Sequence, residues 1–566
     1  MLTPWGEKLD KNNILKEYPR PQLRRDSYLN LNGEWEYTVS ESELMPEEFP
    51  ETILVPFSPE SELSGDVTQP RKCDYLWYRL NVALPEGFNR GRVLLHFGAV
   101  DQIATVFVNG QELITHVGGF TPFSVDITEA LEGSELSIVL RVSDITDASW
   151  HSRGKQSSKR GGIWYTPQSG IWQTVWMESV PQSYIRGLRI LPRFDEGEVE
   201  LWVAGEGEGS ISLEGEEHLF TAGTPAVIKL KEVKPWSPES PYLYDFSVKL
   251  GEDAVESYFA MRKFSVEPDE KGQRRLFLNG KPCFHNGLLD QGYWSDGMLT
   301  APSDEALIFD IQTAKDMGFN MLRKHIKLEP MRWYYHCDRL GMLVWQDMPS
   351  GGTKYKPMVI SVPLVTKKHL RDSHYGLFGR KSAEGREQYY AELREMINAL
   401  YNCPCIALWV PFNEGWGQFD AKKACDLIWS MDQSRTIDHA SGWHDQYFGE
   451  LKSWHVYFKR YVFERDKLGR AVVLSEFGGY NHRVEGHSFN AKDFGYKRYE
   501  SVNSFTVAFR DLYRDQIIPA WREGLAAAVY TQLSDVEDEL NGLISYDRKV
   551  VKIAPAVVKS IVSVEQ

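Results

Sequence analysis

The 566-residue sequence has no apolar run long enough to span a bilayer. Its first residues, Met1-Leu2-Thr3-Pro4-Trp5-Gly6-Glu7-Lys8, show no basic stretch followed by an apolar one. The first absence argues against a membrane-spanning helix, the second against a signal peptide. Basic charge is short as well: 64 Lys and Arg face 79 Asp and Glu, a net charge of −15, which disfavours nucleic acid or an acidic membrane surface as partner. Cysteine is sparse. The six are scattered, and Cys403 and Cys405 lack the spacing and the His or Cys partners of a zinc site, so buried free thiols in a reducing, cytoplasmic setting are expected. Aromatic residues are plentiful at 13%, which suits sandwich cores or sugar stacking.

A chain of 566 residues is too long for one core and predicts about three domains. Residues 1–181 are β-rich. Short alternating or β-branched runs at 33–39, 92–97, 104–108 and 136–142 carry no helical period, and Asn109-Gly110 between two of them signals a hairpin. An N-terminal jelly-roll β-sandwich is expected. Residues 182–266 continue with strands near 185–191, 197–203, 226–231 and 243–250, the extent of an immunoglobulin-like β-sandwich.

Over 267–566 the period changes, and helices alternate with strands. Ser303-Asp304-Glu305 is a helix start, Leu307, Ile311 and Ala314 keep helical spacing, and Gly318 ends the helix before the strand at 319–323. The unit recurs: Pro330 opens a second helix, Gly341 stops it, and the strand at 342–345 follows. Counting a first strand at 283–287 and later ones beginning near 405, 436, 454, 472 and 527 makes eight strands in about 300 residues. The economical architecture is a C-terminal (β/α)8 TIM barrel.

Within it, Cys405 to Val410 run apolar without alternation, as a strand buried on both faces does, and Pro411 ends the run. Asn413 and Glu414 come directly after. The run 472–474 leads in the same way to Ser475-Glu476-Phe477-Gly478-Gly479. The two acids are 62 residues apart, so only strand packing can bring them together. Two carboxylates at the C-terminal mouth of a parallel barrel are what glycoside hydrolysis needs.

The order sandwich, immunoglobulin-like domain, barrel, with Asn413-Glu414 after the fourth strand and Glu476 after the seventh, resembles glycoside hydrolase family 2. Pro19-Arg20-Pro21-Gln22, Leu31-Asn32-Gly33-Glu34-Trp35, Gly118-Gly119-Phe120-Thr121-Pro122-Phe123 and Ser169-Gly170-Ile171-Trp172-Gln173-Thr174-Val175-Trp176 look like signatures of its sugar-binding domain. The resemblance covers nearly the whole chain. It implies a retaining β-glycosidase with Glu414 as general acid/base and Glu476 as nucleophile, the charge of Glu476 holding Glu414 protonated near neutrality. By the same resemblance Asn413 bonds the sugar 2-hydroxyl and Arg323 orients the nucleophile. No cofactor is implied. His455, and Trp443 and His444 in Ser441-Gly442-Trp443-His444-Asp445, lie near the expected mouth as candidates for substrate contact or packing; Trp416 and Asp535 carry the same two readings. Asn286, after the expected first strand, is read as a sugar ligand.

Departures from the family bear on the substrate. Its β-glucuronidases grip the sugar carboxylate with an Asn-x-Lys pair after the eighth strand; here the place reads Asn541-Gly542-Leu543, so glucuronidase activity is disfavoured. Its large β-galactosidases bind magnesium through a Glu and a His after the third strand. The region 346–352 lacks that pair, so no metal is carried over. The first substrate expected is a terminal β-galactoside, ahead of a β-glucoside or β-mannoside, with transglycosylation as a variant. A sugar-binding protein on a decayed enzyme scaffold is the alternative from another class. The partner is a carbohydrate in each case, and the exposed faces leave homo-oligomerisation open.

Overall fold

The computed structural model describes residues 1–364, 366 and 368–563. Near the N-terminus, alternation of buried and exposed side chains builds two facing antiparallel sheets. One has six strands in the order Glu51–Val55, Gly33–Ser40, Tyr75–Ala83, Glu135–Ser143, Ile103–Val108, Gln111–Val117; the other has four, Tyr28–Asn30, Val175–Val180, Arg92–Phe97 and Phe123–Asp126. Leu136, Ile138, Leu140 and Val142 alternate inward from one strand and meet Trp35, Tyr37, Phe97 and Met177 in a common core. Asn109 and Gly110 both take positive φ, +49° and +80°, the conformation a two-residue hairpin turn requires.

A second, smaller sandwich pairs a three-stranded sheet (Gly187–Arg193, Glu198–Ala204, Pro225–Lys229) with a four-stranded one (Glu216–Thr221, Glu208–Leu213, Tyr244–Leu250, Asp253–Phe259). Val199, Leu201, Ile211 and Val248 fill the space between them. A short sheet, Phe264–Pro268 with Arg274–Leu278 and Lys281–Pro282, then floors the barrel. Arg275 Nη1 donates to the carbonyls of Trp521 and Leu525 at 2.7 and 2.9 Å, where the eighth barrel strand begins.

The barrel has eight strands: His285–Asp290, Met321–Lys324, Leu343–Asp347, Ile406–Val410, Thr436–Ile437, Leu451–Val456, Ala471–Gly478 and Leu525–Thr531. Its parallel ladder runs unbroken from the fifth strand back through the first to the eighth, seventh and sixth, and stays open between fifth and sixth. Nearly every residue of these strands is buried, because side chains of one face fill the barrel and those of the other meet helices. Helices Asp304–Asp316, Met331–Leu340, Ala383–Leu400, Ala421–Met431, Val502–Leu512 and Pro555–Val562 make the outer layer. Ser303 Oγ caps the first of them by accepting from Ala306 N, and Leu307, Ile311 and Ala314 are buried as their spacing requires. Cys403 and Cys405 are buried free thiols beside the fourth strand.

The first strand departs from expectation. It covers 285–290 rather than 283–287, because Cys283 still belongs to the exit of the floor sheet and its amide donates to Leu276 O at 2.8 Å. Asn286 therefore sits at the closed bottom of the barrel and faces the helices. Its Nδ2 donates to Val562 O at 3.2 Å and its Oδ1 accepts from Tyr513 OH at 3.2 Å, so the sugar-ligand role expected for Asn286 is corrected to a structural one.

Candidate active site

After the fourth strand the chain turns sharply. Glu414 N donates to Ser441 O at 2.9 Å and Trp416 N to Asn413 O at 2.9 Å. Glu414 and Gly415 are both left-handed, with φ +49° and +71°; a Cβ at Gly415 would lie 2.4 Å from His444 Cδ2, so only glycine fits there. A left-handed glutamate is unusual and costs backbone strain, which the turn imposes to aim its carboxylate into the barrel mouth.

Glu476 arrives from the seventh strand, inside its span rather than beyond it. The strand's register slips against both neighbours at this point, between Trp454 and His455 on one side and between Leu474 and Phe477 on the other. The irregularity lets two successive side chains reach the mouth: Ser475 Oγ meets Ser441 Oγ at 2.9 Å, while Glu476 turns to Arg323 and Tyr457.

The two acids meet around His455. Its Nδ1 is 2.7 Å from Glu414 Oε1 and 3.5 Å from Glu476 Oε2, and one oxygen of each acid lies with a His455 nitrogen inside a triangle no wider than 4.8 Å. His455 Nε2 reaches Ser441 Oγ at 3.1 Å. Among the described residues this trio is the group that could hold a metal ion. Arg323, already 3.1 Å from Glu476, is a fixed cation that repels a second one.

Arg323 is fully buried and uses its fork on four partners. Nη1 donates to Glu476 Oε1 and Ser475 O, each at 3.1 Å; Nη2 donates to Asn413 Oδ1 at 2.8 Å; and Nε and Nη2 clamp Asp347, both at 3.0 Å. Asn413 is thereby pinned through its oxygen, and its Nδ2 has no protein partner among the described residues. Tyr457 OH donates to Glu476 Oε2, and its ring stacks on Tyr496 at 3.8 Å.

Burial pushes Glu414 up to about 7; Lys155 and Arg323 oppose the rise, and Glu539 adds to it. The charge of Glu476 is the cause the sequence suggests; in the structure desolvation lifts Glu414, and Glu539 is the carboxylate that adds to it. Burial raises Glu476 too, with His455, Arg323 and the Tyr457 hydroxyl opposing and Glu414 adding to the rise. Of the coupled pair, Glu476 has a guanidinium and a phenol donating to it, whereas Glu414 has one imidazole, so the negative charge rests on Glu476. Burial lowers His455 to about 4, leaving it neutral.

The remaining candidates divide. Trp416 packs at the mouth, with Trp164 at 5.2 Å and His325 edge-on at 6.0 Å. Trp443 Nε1 donates to Glu414 O at 2.8 Å, and its ring helps line a cavity of about 270 Å³ beside His455. His444 is corrected to packing: Nε2 bonds Val359 O at 2.7 Å and Nδ1 accepts from Leu370 N at 3.2 Å, so both nitrogens hold the loop after the third strand.

Asp535 is likewise corrected. Its Oδ1 accepts from Lys552 Nζ at 2.7 Å and Gly542 N at 2.9 Å, a buried ion pair formed with a residue 17 positions later. Asp535→Asn is expected to lower unfolding stability by about 3–5 kcal/mol by stranding the Lys552 ammonium, with KM for substrate little changed. Denaturant melts beside steady-state kinetics check this; a large KM effect without destabilisation would return Asp535 to the site.

Sequence reasoning missed Lys155, Asp347, Tyr457, Tyr496 and Glu539. A signal existed for two of them, since Asp347 and Tyr457 stand at or just past the C-terminal ends of barrel strands. The other three come from loops that fold onto the mouth from a distance.

A parallel barrel with two facing carboxylates at its mouth, preceded by two β-sandwiches, defines a class of carbohydrate-active architecture. Three domain models of one family match in order: a glycosyl hydrolase 2 galactose-binding domain-like model over 56–170, a glycosyl hydrolases family 2 model over 185–262, and that family's TIM barrel domain over 271–476. The chain belongs to glycoside hydrolase family 2. A putative beta-glucuronidase of Formosa agariphila is 26% identical over 468 residues, 73% of this chain and 51% of that protein. A beta-galactosidase of Thermoanaerobacter pseudethanolicus is 24% identical over 384 residues, 63% of this chain and 47% of that protein. The chain thus spans about half the length of these two relatives. The solved beta-glucuronidase of an uncultured Clostridium sp. superposes with a TM-score of 0.73 at 17% identity, covering 95% of this chain and 98% of that one, a likeness of fold.

Proposed function

We propose that this chain is a retaining exo-β-glycosidase acting by double displacement. One observation carries the proposal: Glu414 and Glu476 bring oxygens within 4.8 Å of each other across the barrel mouth. That separation suits the roughly 5–5.5 Å between carboxyl groups of retaining enzymes, and leaves no room for the water an inverting pair must hold. Glu476 attacks the anomeric carbon while Glu414 gives its proton to the departing oxygen. Water then opens the glycosyl ester, with Glu414 taking the proton. Once Glu476 is esterified its charge is gone, which favours Glu414 as a base in that step. The unpartnered Nδ2 of Asn413 is the donor offered to the sugar 2-hydroxyl.

Most of the relatives and solved structures that the chain resembles are named for a glucuronide or galacturonide, and one relative for a galactoside. The chain's own residues favour a neutral sugar, with a terminal β-galactoside first: Leu543 is buried in the core where a uronate grip needs a lysine.

Anomeric proton NMR of the first-formed product tests the stereochemistry; a β-sugar is expected, and an α-sugar would sink the double displacement. The pH profile tests the acid. Because the Glu414 carboxyl titrates near 7 and must be protonated to act, kcat/KM is expected to fall as pH rises through about 7. A profile still level well above that pH would remove Glu414 from the acid role.

A further inference from the structure

The chain between 144 and 169 leaves the first sandwich and lies across the barrel mouth. Ser152 bridges Gly351, and the amides of Arg153 and Gly154 donate to Ser350 O at 2.9 and 3.0 Å, which zips the loop to the segment after the third barrel strand. Farther along, Thr166 N donates to Glu537 Oε1 at 2.9 Å, tying it to the segment after the eighth. Held at both ends, the loop delivers Lys155.

That side chain is 5% exposed, and its ammonium lies over Trp416 at 5.8 Å and Tyr165 at 5.4 Å. Trp416 is two residues beyond Glu414, so the cation belongs to the same pocket. The nearest carboxylate oxygen is Glu539 Oε2 at 3.9 Å, too far for a hydrogen bond and already accepting from Tyr165 OH. Glu539 Oε1 accepts from Asn541 Nδ2 at 3.0 Å. Among the described residues, no acceptor stands within hydrogen-bond reach of Lys155 Nζ. No oxygen of those residues takes the donors of this ammonium, so they are free for a ligand oxygen in the mouth.

We infer that Lys155 and Glu539 read the sugar, an ammonium and a carboxylate side by side taking two neighbouring hydroxyls of a neutral glycone. The inference rests on the glycosidase reading above. Lys155 donates to one hydroxyl oxygen; Glu539, which keeps lone pairs to spare, accepts from the hydroxyl beside it. A uronate fits this corner poorly, because its carboxylate would meet the like charge of Glu539; Glu537 and Asp538 in the same turn are already paired with Arg160 at 3.2 Å.

The test compares p-nitrophenyl β-galactoside, β-glucoside and β-glucuronide with the wild-type chain, Lys155→Met, the milder Lys155→Gln, and Glu539→Gln. No turnover of any of them by the wild type overturns the glycosidase reading itself. Given turnover, a neutral glycoside is expected to be preferred, and each variant to raise its KM about 10- to 100-fold with kcat changed less. A deoxy-glycoside lacking the hydroxyl read by Lys155 should lose that factor with the wild type and nothing further with Lys155→Gln. The inference is overturned if the glucuronide is preferred and Glu539→Gln improves it. It is overturned equally if the variants melt early and lose kcat alike on every substrate, the mark of a structural role.

Discussion

Truncating Glu476 to alanine is expected to lower kcat on an aryl β-glycoside on the order of 10⁴-fold or more while the protein stays folded. The fold should survive because the partners of Glu476 keep others: Arg323 still clamps Asp347, and Tyr457 OH still has Thr531 Oγ1 at 3.1 Å. Azide can occupy the space left by the carboxylate and attack the sugar from that face, giving an α-glycosyl azide. Truncating Glu414 should act differently. Loss of the proton donor costs about 10²–10⁴-fold with a poor leaving group and much less with an activated phenol, because only the former needs protonation. Azide should then intercept the glycosyl ester from the other face and yield the β-glycosyl azide. NMR of the two azides gives each acid its role. Equal losses for both variants on all leaving groups, with no azide product, would undo the assignment.

The second large effect is expected at Arg323. Replacing it with methionine leaves the Asp347 carboxylate buried beside His325 with no guanidinium, and about 3–5 kcal/mol of stability should go. Activity should fall further than the remaining folded fraction explains. Asn413 loses the bond that pins its oxygen, and Glu476 loses the cation that favours its charged form, so the acid limb of the pH–rate profile should move to higher pH. Arg323→Lys keeps the charge but has no planar fork to span Asp347, Asn413 and Glu476 together. It should recover part of the stability and little of the rate. Denaturant melts and pH–rate profiles of both variants check this; full activity in Arg323→Lys would mean that charge alone matters.

Much of the architecture was legible because it rests on local rules. The uninterrupted apolar run before Pro411 marked a strand buried on both faces, and Ile406–Val410 is such a strand. Ser303 and Gly341 marked helix ends through cap geometry, and Asn109-Gly110 marked a hairpin through positive φ. Errors came where a residue's role depends on its position along a strand. Asn286 moved from mouth to floor when the first strand began two residues later than expected, since in a parallel barrel the two ends of one strand lie on opposite sides. His444 and Asp535 had the right chemistry in the right loops, but tertiary partners had already taken both ring nitrogens of His444 and paired the charge of Asp535 with Lys552.

Lys155 shows the limit most clearly. In Arg153-Gly154-Lys155-Gln156-Ser157-Ser158-Lys159-Arg160 it belongs to a stretch whose pattern suggests a solvated basic loop, and only the docking of one domain on another buries it against Trp416. Residue order by itself determined that two sandwiches would precede a barrel and that acids would stand near the ends of its fourth and seventh strands, because periodicity, caps and turns act over a few neighbouring residues. Only the tertiary structure decided which side chains surround those acids, how burial lifts Glu414, and that a lysine from the first sandwich joins them. Those outcomes depend on separations in space between residues tens to hundreds of positions apart, which strand register and domain packing set.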